Sequence, residues 1–256
     1  SLFRRAEARD GEAEAKQGQG VLALAQGNYS KASAALDAAH RAQVALGSQR
    51  AAAVTRISLA ELARARGDTA GARHQLVRVA ADFGRLGDPI GHAATLGRLG
   101  ALDADAGRPA AAEVSYRAGL GLLRDRVAPD IAWELRTGLG LARKAQGATA
   151  EAVRELRLAV AEVERTSRSL ALPERRSGFL ADKGEAYLQL ALAELELGRP
   201  GAAFEVSERL RAREMHELMA RGRVAAADTA ADLVGREQDL RRQIGELTRR
   251  LAGPLV

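Results

Sequence analysis

The chain has no cysteine, so its 256 residues can form no disulfide, thiolate metal site or thiol nucleophile. Aromatic residues are nearly as scarce, with one Trp, three Tyr and four Phe. The core must therefore be built from Ala, Leu and Val. Small side chains of this kind suit close packing of helix on helix, and Ala and Leu are among the best helix formers. Val and Ile gather into no alternating runs, which argues against a sheet. No apolar stretch approaches the roughly 18 residues of a membrane span, and nothing resembles a signal peptide. The reading is an all-α protein of a reducing cytoplasm, with no membrane partner.

Lysine is also rare, with 4 against 35 arginines. The net charge of +6 and pI near 10.2 raise the question of nucleic acid. The 33 acidic residues, however, are interspersed with the arginines. Glu205–Arg209, Glu237–Arg241 and Glu246–Arg250 are spaced i,i+4, as ion pairs on helices would be. An arginine bias in a chain rich in Ala and Gly reflects a GC-rich gene better than a phosphate-binding face.

What the chain does contain is a repeat. The segments "QGNYSKA", "RGDTAGA", "AGRPAAA", "QGATAEA" and "LGRPGAA" each carry a Gly followed five residues later by Ala. The pairs are Gly27/Ala32, Gly67/Ala72, Gly107/Ala112, Gly147/Ala152 and Gly198/Ala203. Three successive intervals are 40 residues and the last is 51. Each copy predicts a helical hairpin. Gly ends the first helix because it tolerates the left-handed C-terminal position. Ser30, Asp68 and Thr149 offer oxygens near the start of the second helix, and Pro109 and Pro200 suit its first turn. Seven residues before each turn Gly stands Gly20, Ala60, Gly100, Gly140 or Ala191. A mid-helix Gly costs about 1 kcal/mol against Ala, so a close contact between helices is expected there.

A small residue, Gly seven on and Ala twelve on resembles the tetratricopeptide repeat, whose usual period is 34 residues. The resemblance covers residues 13 to about 220. It implies a right-handed superhelical solenoid of about five hairpins, with about three extra residues per helix. Residues 1–9, with Leu2, Phe3 and Ala6, read as the tail of an earlier helix, so the chain reads as an excised fragment. The fourth hairpin's second helix is expected to end near Leu172-Pro173.

The last repeat, residues 175–220, carries Phe179-Leu180, Tyr187, the Leu-Gly-Arg-Pro turn, Ala203-Phe204, Glu208-Arg209, Arg211-Ala212-Arg213 and Leu218. It resembles the final repeat of bacterial CHAT proteins, in which tetratricopeptide repeats precede a caspase-like cysteine protease. The segment "REQDLRRQIGELTRRL" (236–251) is similar to that family's connecting helix. Leu233, just before it, with Leu240 and Leu247 makes a narrow, coiled-coil-like stripe. The implied organisation is a repeat array over 1–222 and a connecting helix over 223–256. The protease domain, with its His and Cys, would lie beyond Val256.

Catalytic chemistry is missing from the motifs. "HELMA" (216–220) lacks the second histidine of the zinc motif His-Glu-x-x-His, and His40, His74, His92 and His216 share no metal-ligand spacing. "GQGVLA" (18–23) fits a dinucleotide pattern, but it lies inside a repeat helix with no strand before it. The chain is therefore read as a non-enzyme with no cofactor and no metal. By the tetratricopeptide resemblance, the first helix of each hairpin lines a groove for peptides or partner helices. Glu61, Arg64, Arg98, Asp105, Glu134 and Lys144 would lie on or beside it.

Two kinds of partner follow: a protein or peptide in the groove, and the parent's own C-terminal protease domain. The leading reading is a regulatory array of a CHAT-type protease. A sensor region of a bacterial signalling ATPase or transcription regulator stays open, as does an assembly scaffold.

Overall fold

The computed structural model describes residues 2–169, 183–225 and Arg242. Among them every regular element is an α-helix: α1 (Leu2–Ala25), α2 (Tyr29–Ala45), α3 (Gln49–Ala65), α4 (Thr69–Arg85), α5 (Pro89–Asp105), α6 (Pro109–Leu122), α7 (Pro129–Ala145), α8 (Thr149–Ser169), α9 (Gly184–Glu196) and α10 (Pro200–Ala225). Consecutive helices pack as hairpins, and each hairpin packs on the next. The result is an open solenoid, with its core shared out in successive clusters rather than gathered at one centre.

The turns are more regular than the 40-residue period suggests. Gly27, Gly47, Gly67, Gly87, Gly107, Gly147 and Gly198 all adopt positive φ, between 64° and 83°. Glycines therefore also close the connections between hairpins, and the underlying spacing is 20 residues. In the first of these turns the Asn28 N–H donates to the Ala23 carbonyl at 2.9 Å, and the Gly27 N–H donates to Leu24. Two otherwise orphaned helix-end carbonyls are satisfied in this way. The caps are Asn28, Asp68 and Asp88, whose side chains accept from backbone N–H groups three residues on. At the first turn the cap is thus Asn28 rather than Ser30, because Ser30 already lies inside α2.

The helix-to-helix contacts fall where the small residues stand. Ala32, Ala72, Ala112, Ala152 and Ala203 are all buried. A Cβ added to Gly20 would lie 2.6 Å from Leu36 Cγ, and one added to Gly140 would lie 2.7 Å from Leu156 Cγ. Gly20 is thus a packing residue, and Gly18 is an exposed residue within the same helix α1, so neither belongs to a dinucleotide loop. Residues 2–9 continue into α1 without a break, so they are the start of the first hairpin and not a separate preceding helix. The expected helix end at Leu172-Pro173 and most of the connecting helix lie outside the described residues. So do Glu237, Glu246 and the leucine stripe. Helix α10 itself runs through residue 222 to Ala225.

Ion pairs join successive hairpins. Arg73 in α4 pairs with the buried Asp103 of α5, and Arg108 reaches the same carboxylate at 2.8 Å. One hairpin later the polarity reverses, and Glu113 in α6 meets Arg143 of α7 at 3.3 Å. A stack that skipped one unit would set Arg73 of α4 against Arg143 of α7, and like charges there oppose that slip. In the last hairpin the fully buried Glu194 accepts from Arg157 at 2.9 Å.

Polar chains also run through the first hairpins. Thr55 donates to Gln43 at 2.6 Å and Gln43 to Gln17 at 3.0 Å, tying α3, α2 and α1 together inside the stack. The His40 ring donates from Nδ1 to the Ala52 carbonyl and accepts at Nε2 from Arg56, each at 3.2 Å. Burial and then the Arg56 charge hold the His40 pKa below its ordinary 6.5. The folded chain thus prefers neutral His40, while the unfolded chain takes up its proton as the pH drops past 6.5. This contribution to stability is present above pH 6.5 and is lost as the pH falls from there through the folded pKa. Denaturant melts between pH 8 and 5 should show that loss, and a His40→Gln variant should show less of it.

Candidate functional site

A pocket of about 280 Å³ opens between α3 and α5, on the face presented by the first helix of each hairpin. Its floor is Ala72 and Leu76 from α4 together with Ala60 and Leu102, and its rim is Glu61, Arg64, Arg98 and Asp105. It exists because α3 and α5 barely approach each other, whereas the next first helices, α5 and α7, pack directly. Gly97 allows that packing, since a Cβ there would sit 3.0 Å from Leu135. Where Gly97 stands in α5, α3 carries the bulkier Ile57.

Four of the six groove residues expected from the sequence therefore surround one cavity. They do not all point freely at a ligand, because Arg98 Nε lies 3.4 Å from Glu61 across the opening. Both side chains are nearly half exposed, so this pair is weak and can be exchanged for a ligand's charges. Arg64 and Asp105 are exposed at the rim. The other two residues lie outside this pocket, on α7. Glu134 is exposed, and Lys144 is turned to the next hairpin, with Nζ 2.8 Å from Glu196 of α9. Sequence reasoning missed the apolar part of the groove. Leu188, Leu192 and Leu195 of α9 are each at least 40% exposed, at a spacing that sets them on one helical face.

The charged terminal helix is partly spent on internal contacts. Arg209 reaches back to Glu164 of α8 at 3.1 Å, in place of the expected Glu205, and Glu208 pairs with Arg211. Tyr187 is a core residue, whereas Phe204 is 64% exposed. Phe179 and Leu180 lie outside the described residues. Among the described residues no three metal-ligating side chains converge, and no helix is long and apolar enough to cross a membrane.

No family model matches the chain, and no curated protein matches it either. Solved structures do. BtubC (BKLC) from P. vanneervenii is 13% identical, with 84% of this chain and 91% of that one covered and a TM-score of 0.65. A putative kinesin light chain of Podosopora anserina, with nearly identical TPR-like repeats, is 19% identical over 82% of this chain and 95% of that one, at 0.55. The fold is a TPR-like helical solenoid. The Rap conjugation gene regulator of plasmid pLS20, in complex with the Phr* peptide, is 14% identical over 94% of this chain and 69% of that one, at 0.56. At these identities the likeness fixes the architecture alone.

Proposed function

We propose that the chain is a protein- or peptide-binding array whose partner lies along the first-helix face. One observation carries this reading. At the pocket between α3 and α5, an apolar floor is ringed by two basic and two acidic side chains that are free to repartner. A cleft with apolar walls and a few convergent polar groups is the usual form of a binding site. The Rap regulator, of similar architecture, is a peptide complex.

Charge reversal tests it. Arg64→Glu with Arg98→Glu should abolish capture of the native partner from host extract while leaving the melting temperature within a few degrees of wild type. Recovery of the same partner at equal yield would remove the groove from consideration.

The resemblance of residues 175–220 to the last CHAT repeat supports a finer reading. On this reading the array regulates a caspase-like protease carried by the same parent, and partner binding is transmitted through residues 223–256. A gene encoding an α/β domain with a His and a Cys after residue 256 would support it. A helix-turn-helix there would favour a transcription regulator instead.

A further inference from the structure

The glycine spacing fails at one place, and arginines gather there. Every other connection between helices among the described residues contains a glycine of positive φ. Between α6 and α7 the position that the 20-residue spacing assigns to glycine is Val127, which is 95% exposed. Helix α6 has 14 residues where α2, α3, α4, α5 and α7 have 17. The shortened helix leaves a cavity of about 790 Å³ between α6 and α8, with α7 behind it. Because second helices flank it, this cavity opens on the face opposite to the groove described above.

Six arginines line it: Arg117, Arg124, Arg126, Arg136, Arg143 and Arg165. Two glutamates share the lining. Glu155 is held by both Arg136 and Arg143 at 3.0 Å, and Glu162 by Arg165 at 2.5 Å. Glu113, beside the lining, pairs with Arg117 at 3.8 Å and with Arg143 at 3.3 Å, so three positive charges remain in excess of these acids. Arg124 has no carboxylate partner among the described residues, and Arg126 reaches only the Leu122 carbonyl, at 3.3 Å. Guanidinium groups in this state are preorganised for bidentate binding of carboxylates or phosphates.

The shape decides between those two. The cavity does not end at Val127. Through Arg126 and Val127 it joins a shallower trough lined by Arg50, Leu86, Pro89 and Ile90. There Asp88 is already paired with Arg50 at 2.9 Å. Leu86 and Ile90 are exposed, so an apolar strip adjoins the arginines. A compact phosphorylated molecule would fill the arginine end and leave the strip bare. An extended chain with acidic and apolar side chains would cover both.

We infer that this second-helix face is a docking trough for an acidic, extended peptide segment of a partner protein. Its carboxylates would lie on Arg124 and Arg126, and its apolar side chains on Val127, Leu86 and Ile90. The site is independent of the groove between α3 and α5.

Panning a random dodecapeptide library on the whole chain tests this inference. The comparison proteins are Arg124→Glu/Arg126→Glu and a charge-matched control, Arg9→Glu/Arg41→Glu. Wild type and control should enrich peptides that combine Asp or Glu with apolar residues. The pocket variant should bind those peptides at least 10-fold more weakly while melting as wild type does. Arg64→Glu/Arg98→Glu should leave them bound. Three results would overturn the proposal: no acidic enrichment, equal loss in the charge-matched control, or displacement of the peptides by pyrophosphate at a lower concentration than by free peptide.

Discussion

Gly138→Ala should destabilise the array by about 2 kcal/mol through overpacking, although the same change in an unobstructed helix stabilises by about 0.5–1 kcal/mol. The cause is Tyr116. An added Cβ at Gly138 would overlap the ring, with Tyr116 Cε1 at 2.5 Å. Gly100 of α5 abuts the same ring, since a Cβ there would lie 2.7 Å from the same atom. Two glycines on neighbouring first helices thus clasp one aromatic ring, which is only 6% exposed. Burial, with Asp105 and Asp103 nearby, raises its phenol pKa to about 12.

The corresponding residue in the other 40-residue units is Leu36, Leu76 or Leu156. In a Tyr116→Leu background, therefore, Gly138→Ala should become neutral or stabilising. Denaturant melts of the four proteins complete a double-mutant cycle. If Gly138→Ala cost the same in both backgrounds, the clasp would not be the reason for the glycine.

The contrast between Gly140 and Gly138 marks where sequence reading stops. Gly140 recurs in register with Gly20 and Gly100, so its contact could be inferred from spacing before any coordinates. Gly138 answers a single enlarged side chain from a different hairpin, 22 residues away, and nothing periodic announces it. The hairpin turns followed from Gly and Ala at fixed separation. Gly47 and Gly87 were equally visible, but they belong to a period half as long as the one used to find the repeat.

The groove residues divide for a similar reason. Glu61, Arg64, Arg98 and Asp105 meet because neighbouring first helices present matching faces, which a repeat pattern conveys. Lys144 is fixed by Glu196 from a hairpin whose offset is 51 residues rather than 40, so its partner could not be counted out in advance. The arginine trough had a sequence signal in the missing glycine at Val127. A composition-wide excess of arginine masked it, since Arg117, Arg124 and Arg126 look ordinary in a chain with 35 of them.

Removing both cations from Asp103, as Arg73→Met/Arg108→Met, should cost about 3–5 kcal/mol, the penalty of an uncompensated buried charge. Asp103 is 1% exposed, and its carboxylate accepts from these two arginines through Oδ1. Its other oxygen, Oδ2, is buried with no hydrogen-bond partner, so the carboxylate has nothing to fall back on. Adding Asp103→Leu to the pair should restore stability to within about 1 kcal/mol of wild type, or above it, because apolar groups of similar volume replace an ion pair at little loss. That recovery would separate stability from order. The triple variant keeps the packing but loses one half of the alternating charge pattern, Arg73–Asp103 followed by Glu113–Arg143. It should therefore melt normally yet refold with a larger fraction of slipped or associated chains, visible by size-exclusion chromatography after dilution from denaturant. Wild-type refolding yield in the triple variant would confine these charges to ordinary pairing. A double variant as stable as wild type would mean that Asp103 finds water where the fold shows it buried, and the ion-pair account of hairpin order would fail.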